Sequence, residues 1–275
     1  MGNSMDFETY LTKGLERLVA QTVRGSLSNP RGSAFLLRFA AAAKSAAKRR
    51  DEAQKAGKYA PLFLTAKVTE KCDLHCPDCA AYPCRAKVTA GDAEEWLRLF
   101  EKADRLGVSF IFMTGGEPLL RRDVIKAAGK IQNILVPIFT NGQALDERYL
   151  QLMERCRNLV PVLGIDGSKE RTDARRGEGV YEKQMANMAE LKDRGLLFGV
   201  CTTVTKENLE EVLSEAFIKE LAGRGCKVLL YAAPAEGEAA AAFGEEGKEK
   251  LQQGLEELRP AMKNMILINW PGDLS

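Results

Sequence analysis

From residue 62 onward, short apolar runs alternate with longer stretches whose apolar residues return every three or four positions. The runs are LFLTAKV (62–68), VSFIFMT (108–114), ILVPIFT (134–140), VPVLGID (160–166), LFGVCTTV (197–204) and KVLLYAA (227–233). Each has the length and the β-branched or aromatic content of a strand. Between them, AEEWLRLFEKADRLG puts Trp96, Phe100 and Ala103 on one helical face with Gly107 where a C-cap belongs, and DERYLQLMERC opens on Asp146 as an N-cap. Six strands separated by helices require parallel pairing through right-handed crossovers. The fold class is therefore α/β, a layered sheet or a barrel, and in both cases ligands collect at the C-terminal strand ends.

The first 60 residues follow another pattern. Phe7, Tyr10, Leu11, Leu15, Leu18 and Val19 recur at helical spacing, SLSNPRG interrupts at Pro30 and Gly32, and Phe35, Leu36 and Phe39 open a second helix running into AAAAKSAAKRR. This segment carries 11 Lys and Arg against 5 Asp and Glu, whereas the remainder has 29 against 33, a contrast hidden in the net charge of +2. One reading lays the two helices on a membrane surface, with Arg38, Lys44, Lys48, Arg49 and Arg50 toward anionic lipid. The other, which we favour, packs them as a cap on the main domain, because basic amphipathic helices are common on ordinary globular proteins.

Composition narrows the class. With 275 residues, 45% hydrophobic and 28% charged, the chain can bury a full globular core. No run approaches the roughly 18 apolar residues of a membrane span, and MGNSMDFETYLTKG lacks the apolar core of a secretion signal, so the expected compartment is the cytoplasm. The basic N-terminus has no aromatic platforms beside it, so no nucleic-acid partner is expected.

Four of the seven cysteines crowd into KCDLHCPDCAAYPC: Cys72, Cys76, Cys79 and Cys84. In a reducing compartment such a loop binds metal or does chemistry. Thiolates suit iron-sulfur clusters or zinc. Zinc sites usually need a second knuckle or histidines at helical spacing, and His75 is the only histidine. A zinc-stabilised interaction protein using Cys72, Cys76, Cys79 and Cys84 is the alternative reading. Cys156, Cys201 and Cys226 fall singly and read as small buried hydrophobes.

The spacing Cys-x-x-x-Cys-x-x-Cys after a first strand, followed by MTGGEPLL, FTNG and GIDGSKERTDARRGEGVYEK at later strand ends, resembles the radical S-adenosylmethionine (radical SAM) enzymes over roughly residues 60–235. That resemblance implies a partial (β/α)6 barrel of TIM-like kind, preceded by the helical segment. It implies a four-iron four-sulfur (4Fe-4S) cluster held by Cys72, Cys76 and Cys79, with S-adenosyl-L-methionine on the fourth iron. One-electron cleavage would give a 5′-deoxyadenosyl radical that abstracts hydrogen from a substrate, fed by a reductant such as flavodoxin or ferredoxin. By the same likeness Gly115, Gly116, Glu117 and Pro118 receive the methionine end, Thr140, Asn141 and Asp166 line the ribose side, and Arg176 approaches the carboxylate. The resemblance assigns no catalytic residue, and leaves the substrate as a peptide or a small molecule. Gly164 stands where many relatives have serine, and Asp78 where many have an aromatic residue. The expected division is a cap at 1–60, a core barrel at 61–240 and a helix and strand at 241–275. Relatives of the closest branch continue into a cysteine-rich SPASM or twitch extension; no cysteine follows Cys226, so no auxiliary cluster is expected within these residues.

Overall fold

Each of the six apolar runs forms a strand, and a seventh follows in the tail. A computed structural model describes residues 30–77, 79, 91–234, 237–262 and 265–270. The first expected helix, Asp78 and Cys84 lie outside the described residues. The strands are β1 (Phe63–Lys67), β2 (Phe110–Thr114), β3 (Val136–Thr140), β4 (Leu159–Gly164), β5 (Gly199–Thr203), β6 (Val228–Ala232) and β7 (Ile266–Trp270). They pair in sequence order, every neighbour parallel. Helices α1 (Pro30–Lys55), α2 (Ala93–Leu106), α3 (Arg122–Gly129), α4 (Glu147–Arg155), α5 (Lys169–Arg176), α6 (Val180–Asp193), α7 (Leu209–Val212), α8 (Glu215–Gly223) and α9 (Gly237–Leu258) complete the described elements. The seventh strand falls in the 241–275 tail, where a helix and a strand were expected, and joins the sheet: Val228 to Ala232 pair in register with Ile266 to Trp270.

The sheet is curled into a half-barrel. Laid flat, seven strands would hold β1 and β7 about 29 Å apart at ~4.8 Å per step. Instead the Phe63 and Trp270 rings lie 6.0 Å apart across the lumen. Period-two alternation explains the two faces. Ile111, Met113, Ile138, Leu163, Val200 and Leu229 point outward into one continuous core with helix residues such as Phe100, Ile125, Met153 and Leu251. Val162, Leu230, Ile266 and Ile268 form a separate cluster together with Phe139 and Trp270.

Helix ends follow local chemistry. Asp92 caps α2 in a capping box with Glu95, and Gly107 ends it in the left-handed region at φ 89°. A side chain at Gly107 would also meet the Ala46 carbonyl at 2.8 Å, so α1 can approach only a glycine there. Asp146 caps α4 through the Tyr149 amide. The sequence suggested a break at Pro30; the helix in fact starts there, because a proline in the first turn has no amide to waste and its φ suits the helix.

α1 packs across the lower ends of β2 to β5. Phe35, Leu36 and Phe39 pack on Leu135 and Val160, with Phe110 and Leu197 beside them. The basic residues have specific uses. Arg50 donates to the Gly107 carbonyl (2.6 Å), Arg49 to the Asp104 carbonyl (3.1 Å), and Arg38 to Gln132 (2.7 Å). Two of the five cations offered to lipid by the membrane reading thus cap the C-terminus of α2, and Arg38, Lys44 and Lys48 stand exposed. Among the described residues no helix is long and apolar enough to cross a membrane.

Candidate functional site

The sequence motifs meet at the C-terminal rim. The loop after β1 and the loop after β2 run backbone to backbone: the Gly116 amide donates to the Thr69 carbonyl (2.8 Å) and the Glu117 amide to the Lys71 carbonyl (2.7 Å). A Cβ on Gly116 would lie 2.3 Å from the Lys71 oxygen, so the glycine is required by this crossing. A Cβ on Gly115 would lie 2.6 Å from the Thr69 oxygen. Pro118 then starts a 3-10 turn, Pro118–Leu120, with Pro118 and Leu119 buried.

Glu117 is 1% exposed. Its Oε1 accepts from the Leu119 amide (2.9 Å) and the Thr140 hydroxyl (2.7 Å), and its Oε2 accepts from the Asn141 amide (2.8 Å). Burial pushes its carboxyl above the usual range, against the pull of these donors. The side chain thereby ties the β2 loop to the end of β3. Asn141 reaches on into the cysteine loop: its Nδ2 donates to Asp73 (2.6 Å) and lies 3.7 Å from the Cys72 sulfur, which also accepts from the Leu74 amide (3.4 Å).

Cys72, Cys76 and Cys79 are half-buried free thiols. Burial raises the Cys72 and Cys76 thiols, and the nearby Cys79 adds to both; at Cys76 the Arg176 and Arg175 guanidinium groups work in the opposite direction. Among the described residues no three His, Cys, Asp or Glu side chains are gathered closely enough to hold a single ion. The donor set suits a larger centre: three soft sulfurs from one loop, amide donors on one of them, and a fixed cation near another to offset thiolate charge.

That cation belongs to a buried constellation. Asp166 is 2% exposed and Arg176 12%. Arg176 Nε donates to Asp166 Oδ2 (2.6 Å) and its NH2 to Oδ1 (3.1 Å), while Arg175 (3.2 Å) and the Thr203 amide (2.8 Å) fill the remaining acceptors. Burial alone would raise the Asp166 carboxyl, but Arg176 and Arg175 hold it below the usual carboxylate range. A Cβ on Gly164 would sit 2.2 Å from the Arg176 guanidinium, so the glycine leaves room for the arginine as it lies here. Cys201 faces the same space from β5, its thiol pushed up to about 12 by burial.

All the sequence-predicted site residues therefore lie around one rim, but the acceptors of Glu117 and Asp166 are largely taken by the chain itself. Sequence reasoning missed the supports. Gln184 is fully buried and donates to the Asn141 carbonyl (2.8 Å), and Asn187 donates to the Gly142 carbonyl (3.0 Å), pinning the turn at Gly142 (φ 70°). The available signal was two amides on the otherwise apolar face of α6 made by Val180, Met188 and Leu191. Arg121 was also passed over: it donates to the Val68 carbonyl (3.1 Å) and the Gly91 carbonyl (2.8 Å), gripping both ends of the cysteine-loop segment.

A barrel of parallel strands with three loop cysteines at its C-terminal rim defines a class, and the family comparison names it. The sequence profile of the Radical SAM superfamily matches residues 66–216, and the chain belongs to that superfamily. It is 28% identical over 158 residues to the PqqA peptide cyclase of Ruegeria pomeroyi, covering 56% of this chain and 42% of that protein. It is 30% identical over 159 residues to the AdoMet-dependent heme synthase of Methanosarcina barkeri, covering 56% and 45%. The chain thus spans less than half the length of these curated relatives. Streptococcus suis SuiB, solved bound to S-adenosylmethionine, shares the fold at TM-score 0.65 and 18% identity, over 82% of this chain and 51% of SuiB.

Proposed function

We propose that this chain is a radical SAM enzyme in which Cys72, Cys76 and Cys79 hold three irons of a 4Fe-4S cluster and leave the fourth to S-adenosyl-L-methionine. The observation that carries this reading is the three-thiol loop at the end of β1, with the Arg176 cation set against Cys76. When bound, the cluster and cosubstrate supply one-electron cleavage of a sulfonium, ending in 5′-deoxyadenosine after hydrogen is taken from the substrate.

The chain's own residues then bind and orient. With Glu117 committed to Leu119, Thr140 and Asn141, the ammonium of the cosubstrate falls to backbone carbonyls of the Gly115 to Pro118 segment. Thr140, Asn141 and Asp166 border the ribose side chiefly by fixing the turn and the arginine, and Arg176 offers a guanidinium edge to the carboxylate. Residues 61–240 form the working barrel, 1–60 the cap, and 241–275 its last helix and strand. A peptide substrate is favoured over a small molecule because one relative is named a peptide cyclase and SuiB was also solved with its precursor peptide. The one-electron donor would be a flavodoxin or ferredoxin, and the setting cytoplasmic.

The test is anaerobic: reconstituted protein given dithionite and S-adenosylmethionine forms 5′-deoxyadenosine, and Cys76→Ala does not. Full product formation by Cys76→Ala overturns the assignment.

A further inference from the structure

The two amides of α6 stand between the halves of the rim. Gln184 and Asn187 are both buried. Gln184 Nε2 donates to the Asn141 carbonyl (2.8 Å), just beyond β3, and to the Gly164 carbonyl (3.3 Å), at the end of β4. Asn187 Nδ2 donates to the Gly142 carbonyl (3.0 Å) and to Gln184 Oε1 (3.2 Å), so the oxygen of Gln184 is engaged as well. Gly142 permits this approach, because a Cβ there would strike both amides. The Gln184 amide is thereby spent inside the chain, and the residue acts through what it holds.

The two carbonyls belong to different sides of the site. Asn141 places its Nδ2 2.6 Å from Asp73 and 3.7 Å from the Cys72 sulfur, and its backbone amide holds Glu117. Gly164 is the spot against which the Arg176 guanidinium lies. Arg176 is the last residue of α5 and α6 begins at Val180, with the Tyr181 amide donating back to Asp173 of α5 (2.8 Å). One helix is thus tied to the arginine, to its glycine bed and to the turn that reaches the cysteine loop. Apolar side chains at 184 and 187 would still pack α6 on the core, but they would strand the Asn141, Gly142 and Gly164 carbonyls. A buried acceptor without a donor is costly enough to move the backbone that carries it. Hydrogen bonds also fix direction and distance, which apolar contact does not.

We infer that Gln184 is a positioning residue for S-adenosyl-L-methionine: by holding the Asn141 and Gly164 carbonyls with one amide, it fixes the spacing between the cysteine-loop side of the rim and the Arg176 side. This rests on the reading of the rim as the cosubstrate site, and adds to it the residue that sets the fit. A molecule gripped at both sides tolerates little change in their separation, and outer supports of this kind are typically worth roughly 10–100-fold in affinity or activity.

Two measurements on Gln184→Met, which keeps the length and loses both donors, test this. In the full chain without cluster, hydrogen exchange is expected to speed up several-fold in residues 140–144 and 164–177 together, with β7 and α9 protected as in the parent. Acceleration in only one of these segments, in neither, or evenly through the chain overturns the coupling. In the anaerobically reconstituted chain, iron content is expected to be unchanged. Calorimetry should then show S-adenosylmethionine bound about tenfold more weakly, and the electron paramagnetic resonance of the reduced protein should respond less to it. Parent-like affinity and response overturn the positioning role. Should Gln184→Met fail to fold, Gln184→Asn, one methylene too short to reach both carbonyls, takes its place with the same expectations. A parent chain that binds no S-adenosylmethionine overturns the reading of the rim and the positioning role with it. The exchange result stands apart from that failure, because it needs neither cluster nor cosubstrate.

Discussion

At the scale of single residues, the rim works by mutual constraint. Gly164 leaves the space in which Arg176 lies, and Asp166 fixes that guanidinium with two hydrogen bonds. Gly164→Ser is expected to displace Arg176 and cost ~1–3 kcal/mol of stability by overpacking. Calorimetric binding of S-adenosylmethionine should weaken in the same variant; unchanged stability and affinity would show that the arginine has another place to go. Asp166→Asn leaves two arginines without their carboxylate, and chemical denaturation should report a loss of about 3–5 kcal/mol. Because the folded carboxyl titrates below its unfolded value of about 3.9, its stabilisation is present at neutral pH and is lost as pH falls through the lower, folded value. The acid limb of a melting-temperature profile should therefore be shallower in Asp166→Asn than in the parent chain. That Cys72, Asn141, Asp166 and Arg176 would lie around one rim was legible from motifs and strand order. Their partnerships were not, since Asn141 with Asp73 and Asp166 with Thr203 are contacts between different loops that no local pattern encodes.

Among elements, caps and strand periods were readable because they depend on near neighbours. Asp92, Gly107 and Asp146 act within one turn, and each strand announces itself by length and alternation. Tertiary uses were hidden. Gln184 and Asn187 look like ordinary helix polars until the FTNG turn is folded against them. Arg121 looks like a solvated cation until Val68 and Gly91 are both beside it. Removing it in Arg121→Ala should free both ends of the 69–90 segment. Limited trypsin digestion is expected to cut there several times faster, with the barrel strands still protected; an unchanged rate would mean that the crossing at Gly116 holds the loop alone.

For the whole molecule, the half-barrel brings the later strand ends round to the cysteine loop, and α1 packs against the opposite end. The basic tilt of residues 1–60 suggested a lipid surface as one reading, but composition cannot say which cations are already engaged; Arg49 and Arg50 turn inward to the end of α2. Phe39 is fully buried at this junction, edge-on to Phe110. Phe39→Ala should destabilise the chain by ~3–5 kcal/mol in urea, because a fully buried ring is replaced by a void. A loss under 1 kcal/mol would mean that α1 is a peripheral attachment.

The central claim is that three sulfurs of one loop hold an iron cube with one corner free. The most direct measurement is iron and sulfide per chain after anaerobic reconstitution, read with the electron paramagnetic resonance of the reduced protein before and after adding S-adenosylmethionine. About four irons per chain, a spectrum altered by the cosubstrate, retention of both in Cys84→Ala and loss of both in Cys72→Ala, Cys76→Ala and Cys79→Ala are the predicted result. A chain that stays iron-free, or one that binds a single zinc requiring Cys84, would contradict it.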